Sequence, residues 1–449
     1  MKIVQAAGWY HPDSLGGTEV YVEALARRLR QAGHDVRVAA PDPQAGPREY
    51  THARIPVFRY PIPAAPTRDE AQSEVPARGA EEFHAWLAEV RPDVVHFHTF
   101  VTGLGPFEVT AARAAGARTV ATTHSSSLGW ICQRGTLMRW GTAPCDGLCR
   151  RARCAACELQ HRGLPRPLAA AVGAVPPALS RRLGGLPGRA GTALGLSALI
   201  ERNRERQRRV IDTLDRFVVL TGWALEAVAA NGFPREKLAL NRLGHGHTGA
   251  GRKPGPDERP TALPLTVGYL GRFDRIKGIC DLVAAVASMP AGVPVRLELR
   301  GPVQSDSERA LLAELHALAG GDPRIVFAPA VPPDRVLEIL AGYDLLACPS
   351  LCHEGGPTVA IEAHAVGTPV VGSRIGGLEE LVTDGVTGRL MPPGDRAVLT
   401  AILRQAAEDP TGTVDRWRRA LPSTRTMDEV TADYLSLYHA LTTREKGAA

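Results

Sequence analysis

The chain of 449 residues has no apolar stretch of about 18 residues, the length a helix needs to cross a bilayer. Its longest greasy run, residues 168–179, is broken by Pro176 and Pro177. A helical membrane protein is therefore excluded. The opening residues, MKIVQAAGWYHPD, lack the layout of a secretion signal and read as a first β-strand, so a cytoplasmic location is expected. Aromatics are scarce at 5%, and almost missing from the most basic segment, which argues against a nucleic-acid partner. With 44% hydrophobic and 22% charged residues the composition is globular, and disorder does not fit. A chain of this size buries a large core without disulfide staples, and its length suggests two or three domains. The net charge of +6 is unevenly spread: residues 150–212 hold 13 Arg against 4 Asp and Glu, so one segment makes the whole chain basic.

What is present is an α/β rhythm. Residues 2–7 read as a strand, and the loop GWYHPDSLGG leads into a helix over about 17–32, with Val22, Leu25, Ala26 and Leu29 at helical spacing and Gly33 as its stop. Strands follow at 35–40, 93–97 and 118–123. Residues 128–212 interrupt the pattern with a cysteine cluster, a Pro- and Gly-broken basic stretch and a helix near 198–214. Strands return at 215–220 and 238–243. Residues 244–264, GHGHTGAGRKPGPDERPTALP, lose all apolar periodicity and read as a linker. The rhythm then restarts, with strands at 265–270, 295–300, 325–328, 344–348 and 369–372. Strands alternating with helices imply parallel sheets covered on both faces. Two such halves bind ligands in the cleft outside the C-terminal ends of their strands.

The most informative segment is CPSLCHEGGPTVAIEAHAVGTPVVGSRIGGLEELV, residues 348–382. A strand ends, a glycine loop follows, and a helix begins near Pro357, which suits a first helical turn because its missing N–H costs nothing there. Gly355 and Gly356 let a ligand approach the backbone, and the free N–H groups of the helix start suit a phosphate. Glu354 stands before the helix and Glu362 about one and a half turns inside it, so one carboxylate can meet a sugar hydroxyl and the other a ribose. In GYLGRFDRIKG, residues 268–278, Arg272 and Lys277 follow a strand on a loop. Arg grips phosphate oxygens bidentately and Lys acts as a point charge. Gly16 and Gly17 of SLGGTEVYVEAL sit where the first strand's loop enters a helix, a position for phosphate or acceptor binding. His124, in ATTHSSSLG, ends a strand that points to the same cleft. His96 reads as a buried strand residue, and neither it nor His98 is expected to be catalytic.

These segments resemble the GT4 family of retaining glycosyltransferases. Two Glu with seven residues between them (Glu354 and Glu362), the GTPVV of residues 367–371, the following GG and DGVTGRLMPPGD at 384–395 carry the likeness, which covers both halves outside about 128–212. The resemblance implies a GT-B fold, two doubly wound Rossmann-like domains facing a cleft: an acceptor-side domain at 1–245, a linker at 246–264, a nucleotide-sugar-binding domain at 265–425, and a helix at 426–445 crossing back to the first domain. It implies transfer of a sugar from a nucleotide-diphospho-sugar to a sugar or lipid-linked acceptor, with retention of configuration and no cofactor needed for catalysis. Residue by residue, it puts Arg272 and Lys277 on the diphosphate, Glu354 and His124 on the donor sugar, Glu362 on the ribose, and Gly16, Gly17, Gly355, Gly356, Pro357 and Thr358 around the donor. No general base is evident. A GT-B nucleotide-sugar epimerase and a non-catalytic nucleotide-sugar-binding protein are the competing readings, and the set GGTE, GRFDRIKG and EGGPTVAIE weighs against both.

Five of the eight cysteines lie within residues 132–157, spaced C-x12-C-x3-C-x4-C-x2-C. In a reducing compartment such a cluster points to metal before disulfide. Cys154 and Cys157 form a CxxC pair, with Cys132 and Cys145 as the other two ligands and Cys149 as an alternative. Zinc suits four thiolates, and an iron–sulfur cluster is also consistent; free thiols are the plain alternative. The basic stretch that follows mixes Arg with apolar residues, as a peripheral contact with an anionic membrane does.

Overall fold

The computed structural model describes residues 1–14, 16–44, 46–124, 131–246 and 264–443. Almost all of the expected linker, residues 125–129 of the ATTHSSSLG motif with the following residue 130, and positions 444–445 of the expected last helix lie outside the described residues. The chain divides into two compact units. The first comprises Met1–Trp140, Cys145–Arg242 and the segment from Met427 on; the second comprises Leu243–Thr426 with Gly141–Pro144.

The first unit is built on an eight-stranded sheet. Its strands are β1 (Lys2–Ala6), β2 (Asp35–Asp42), β3 (Arg48–His52), β4 (Ile55–Pro61), β5 (Val94–Phe97), β6 (Arg118–Thr122), β7 (Arg216–Val219) and β8 (Leu238–Leu240). Their spatial order is β8-β7-β6-β5-β1-β2-β4-β3. All neighbours run parallel except β3 and β4, a hairpin at the edge that the sequence reading did not anticipate. The central strands are nearly continuous apolar runs because both sheet faces are covered. In β1, Ile3 lies opposite Val36 on one side and Val94 on the other. Helix α1 (Gly17–Gln31) buries Val22, Leu25, Ala26 and Leu29, the spacing expected from sequence. Between β6 and β7 the basic stretch is helical rather than irregular, with short helices at Arg151–His161, Arg166–Gly173, Pro177–Leu183 and Gly188–Leu194 before the long Leu196–Thr213. Pro165, Pro176 and Pro187 stand at the N-caps of three of them, so the prolines that seemed to break the segment start its helices instead. Ala155, Leu159, Ala169, Leu196 and Ile200 give this insert its own small core. The last helix, Met427–Thr443, packs in the first unit, burying Val430, Tyr434, Tyr438 and Leu441. The Arg28 Nε of α1 donates to its Asp428 at 2.5 Å.

The second unit holds six parallel strands, β9 (Leu265–Leu270), β10 (Val295–Arg300), β11 (Ile325–Ala328), β12 (Leu345–Cys348), β13 (Val370–Ser373) and β14 (Gly388–Met391), ordered β11-β10-β9-β12-β13-β14. Strand order reverses between β9 and β12, and in the first unit between β1 and β5. In doubly wound sheets such a reversal opens a crevice outside the strand C-termini, where ligands bind.

Candidate active site

In the second unit the loops that leave β9 and β12 flank the reversal. After β9, Asp274 caps the short turn Arg275–Lys277 by accepting from the Ile276 N–H at 3.1 Å. The two loops are tied together: the Leu351 N–H donates to the Ile276 carbonyl at 2.7 Å. Gly278 has φ +68°, and a Cβ there would stand 1.9 Å from the Pro349 carbonyl oxygen, so the loops meet closer than any side chain allows. This contact brings the Lys277 Nζ to 2.7 Å from one Glu354 oxygen, while the Ser350 hydroxyl donates to the other. Burial alone would lower the Lys277 pKa, but the facing Glu354 carboxylate outweighs it and the pKa rises above the ordinary lysine value. The ammonium therefore stays charged in a mostly covered position. Arg272 is 61% exposed, its nearest acidic partner Asp274 at 4.0 Å. Arg275, the third cation of the motif, is taken up by Glu314. The buried Tyr269 hydroxyl donates to the Arg272 carbonyl at 2.6 Å and fixes the backbone beneath that side chain.

The helix expected near Pro357 begins at Thr358 and runs to Ala365, with Pro357 itself as the N-cap. Gly356 has φ +117°, a conformation only glycine adopts freely. Gly355, Gly356, Pro357 and Glu362 are half-buried and Thr358 is exposed. The loop is backed by Gly376 and Gly377. A Cβ on Gly376, at φ +56°, would come within 2.6 Å of the Glu354 carbonyl oxygen, and one on Gly377 within 2.4 Å of the Gly356 α-carbon. The Gly377 N–H donates to the Glu354 carbonyl at 2.8 Å. Thus the glycine pair that follows β13 sets the height of the Glu354 loop.

In the first unit, Gly16 is the N-cap of α1. The buried Glu19 carboxylate folds back there: it accepts from the Ser14 hydroxyl, and one of its oxygens would lie 2.8 Å from a Cβ on Gly16. An anion of the chain's own thus already faces the helix start at Gly16. At Gly17 nothing stands within 4 Å of a Cβ, which leaves open space there. His124, at the end of β6, is half-buried, and burial pulls its pKa down to about 4. Its Nε2 lies 3.1 Å from Nδ1 of the buried His98, whose Nε2 is 2.6 Å from the Gln5 Oε1. Gln5 Oε1 only accepts, so His98 carries its proton on Nε2 and offers Nδ1 to the His124 Nε2–H. His124 is thereby set to present Nδ1, an acceptor, at its other edge. Tyr21 packs edge-on to the His124 ring at 4.7 Å. Next to this pair the buried His96 bonds the Tyr438 hydroxyl at 2.6 Å and Thr122 at 2.7 Å, and Thr122 meets Tyr434 at 2.9 Å. His98, Gln5, Tyr434 and Tyr438 carry no motif, and the HFH on a strand was the only sign of them.

Of the cysteines, Cys132, Cys145, Cys154 and Cys157 line one small cavity with Leu137, Met138 and Arg153. Cys132 and Cys157 each accept a backbone N–H, from Leu137 and Trp140, at 3.4 Å. Burial raises the Cys132 and Cys145 thiol pKa values, while Cys149 is lowered by its contact with Cys154. All eight cysteines are free thiols in this structure.

Two doubly wound α/β units, each with loops gathered at the reversal of its strand order, define a protein of the GT-B fold. A solved structure of similar fold is sucrose-phosphate synthase from Thermosynechococcus elongatus, with TM-score 0.66 and 21% identity over 98% of this chain and 99% of that one. A family model described as glycosyl transferases group 1 matches residues 264–409, and a glycosyl transferase 4-like domain model matches residues 16–244. The chain belongs to this glycosyl transferase 4-like family, as the motifs implied. Among curated relatives, the D-inositol 3-phosphate glycosyltransferase of Corynebacterium urealyticum is 30% identical over 223 residues, 46% of this chain and 52% of that protein. The 2-deoxystreptamine N-acetyl-D-glucosaminyltransferase of Streptomyces fradiae is 28% identical over 415 residues, 88% of this chain and 84% of that one. The chain thus spans only about half the length of the first of these relatives.

Proposed function

We propose that this chain is a retaining glycosyltransferase that moves a sugar from a nucleotide-diphospho-sugar to a hydroxylated acceptor. The observation that carries this reading is the Lys277–Glu354 pair, fixed by interlocked loops at the strand-order reversal of the second unit. Arg272 and Lys277 take the diphosphate, and their fixed charge stabilises the negative charge that grows on it as the glycosidic bond breaks. Glu354 accepts from donor-sugar hydroxyls and Glu362 from the ribose. Gly355, Gly356, Pro357 and Thr358 keep the loop low enough for the donor to reach the backbone. In the first unit His124 meets the sugar as a neutral acceptor, and Gly17, with Gly16 beside it, lines the donor's phosphate side. The names of the two relatives, whose acceptors are an inositol phosphate and deoxystreptamine, support a polyhydroxylated ring as acceptor.

The test is a thermal-shift panel with UDP, GDP, ADP and their sugar conjugates, since a ligand of the folded state raises the melting temperature by mass action. One nucleotide is expected to stabilise the chain, Arg272→Ala to remove the shift, and Glu354→Ala to abolish transfer and donor hydrolysis. Hydrolysis undiminished in Glu354→Ala contradicts the reading.

Two finer parts belong to it. Cys132, Cys145, Cys154 and Cys157 would hold a structural zinc: all four line one cavity, and Cys132 and Cys157 accept backbone N–H groups, but among the described residues no three of their sulfurs lie within 4.8 Å of one another, so they would draw together around the ion. Such an ion would brace the insert and take no part in the chemistry; a cobalt derivative without a thiolate charge-transfer band contradicts it. The insert is also proposed to rest on an anionic membrane from the cytoplasmic side. Leu168, Leu179 and Leu186 are 53%, 48% and 48% exposed beside Arg166, Arg181, Arg182 and Arg189. No helix among the described residues is long and apolar enough to cross a membrane. Co-sedimentation with anionic but not neutral liposomes is expected, and no binding at low salt contradicts it.

A further inference from the structure

Away from the loops of the second unit and from the cysteines, three side chains of different elements converge in the first unit: His11 from the loop after β1, Glu23 from α1 and His52 from the end of β3. The His11 Nε2 lies 3.4 Å from the Glu23 Oε2, and the His52 Nε2 lies 3.2 Å from the same oxygen. One ligand atom from each residue falls within 4.8 Å of the other two. For metal–ligand bonds of about 2.0–2.1 Å, the edges of a tetrahedron are about 3.3 Å. The two measured histidine–carboxylate separations match that edge.

Hydrogen bonding within the cluster leaves it unsatisfied. His11 is only 6% exposed, and its Nε2 has no hydrogen-bond partner. The Tyr10 hydroxyl is fully buried and likewise unpartnered, with its ring 5.1 Å from that of His11 and 6.0 Å from that of His52. The two imidazoles stack at 4.6 Å and 17°.

We propose that His11, Glu23 and His52 hold a divalent transition-metal ion of zinc type, bound by two imidazole nitrogens and one carboxylate oxygen, with the fourth position open to water. A dication satisfies the buried Nε2 and balances the carboxylate without charging either ring. It also pins the loop that carries the 54%-exposed Trp9 to α1 and to the β3–β4 hairpin. The role is to hold that loop, and the assignment does not depend on the sugar-transfer reading.

The test uses the full chain, purified without a histidine tag, stripped with chelator and titrated with cobalt(II), then zinc. Cobalt on nitrogen and oxygen ligands gives visible d–d bands without the near-ultraviolet thiolate band, which separates this site from the cysteines. One such equivalent is expected in the unmodified chain, displaced by zinc. His52→Ala, altering a partly exposed side chain, is expected to weaken it about a hundredfold or more, and Glu23→Gln at least about tenfold. Both variants are expected to keep the metal-free melting temperature and to lose its rise on adding zinc. Non-thiolate cobalt uptake unchanged in both variants, or absent from the unmodified chain at micromolar cobalt, overturns the proposal.

Discussion

The candidate sites of the two units are built by opposite means. In the second unit the key groups are charged, carried on two loops and held by glycines: Lys277 faces Glu354 at 2.7 Å, and Gly278, Gly376 and Gly377 admit no side chain where the loops meet. In the first unit the groups are neutral and gathered from several strands and the last helix. His124 leans on His98 and Gln5, and the adjoining His96 reaches Tyr438, 342 positions away. The difference teaches what each half does with electrostatics. A charged pair at the mouth of a loop suits a ligand that carries charge. A ladder of histidines, all pushed towards the neutral form by burial, suits hydroxyls.

The largest effect should come from breaking the glycine support of the charged half. Gly376→Ala puts a Cβ within 2.6 Å of the Glu354 carbonyl at a left-handed φ, a strain of about 1–3 kcal/mol. Affinity for the stabilising nucleotide-sugar, measured by calorimetry, should fall about tenfold or more, while urea unfolding shows a comparable loss of stability. Unchanged affinity would mean that the loop does not set the donor position. A smaller effect is expected from the neutral half. His98→Ala removes the partner that orients His124, and kcat should fall about tenfold with the KM for donor little changed. His98→Asn, which keeps a polar group in that place, should restore part of the loss; a KM effect alone would make His98 a merely structural residue.

A third substitution separates stability from chemistry. Tyr438→Phe leaves the His96 Nδ1 buried without its hydroxyl partner, at a cost of about 1–3 kcal/mol in urea unfolding. The last prediction concerns pH. A histidine whose folded pKa is about 4, against 6.5 when unfolded, gives its full stability above pH 6.5 and loses it as pH falls towards 4, because the unfolded chain then binds more protons. His96 and His98 shift in the same direction. The imidazole resonances of His124 should therefore stay flat between about pH 6 and 8. A midpoint near 6.5 would show the ring to be solvated.

The same contrast explains what was legible in the sequence. Most strands of both sheets could be read because buried parallel strands are short apolar runs between helical patterns, but β14 (Gly388–Met391) was not among those expected. Lys277, Glu354 and the two glycines after β13 lie in contiguous motifs, since a loop at a strand end needs its charges and its glycines next to one another. The hairpin of β3 and β4 was not seen. REYTH carries no apolar alternation, and its pairing depends on β4, so His52 gave no hint of meeting His11 and Glu23. The helices at 151–194 were hidden because prolines, which stop a helix in its interior, start one at its N-terminus. His98 was read as a bystander. Its role depends on Gln5 and His124, each from another strand, and no spacing rule encodes either neighbour.

The central claim is that charge in the second unit holds the donor's diphosphate while the neutral histidines of the first unit meet sugar hydroxyls. Calorimetry with the stabilising nucleoside diphosphate, lacking its sugar, tests this most directly. Lys277→Ala is predicted to weaken binding more than about tenfold, and His124→Ala to leave it within about twofold. Loss of diphosphate binding in His124→Ala, with Lys277→Ala unaffected, would contradict the account.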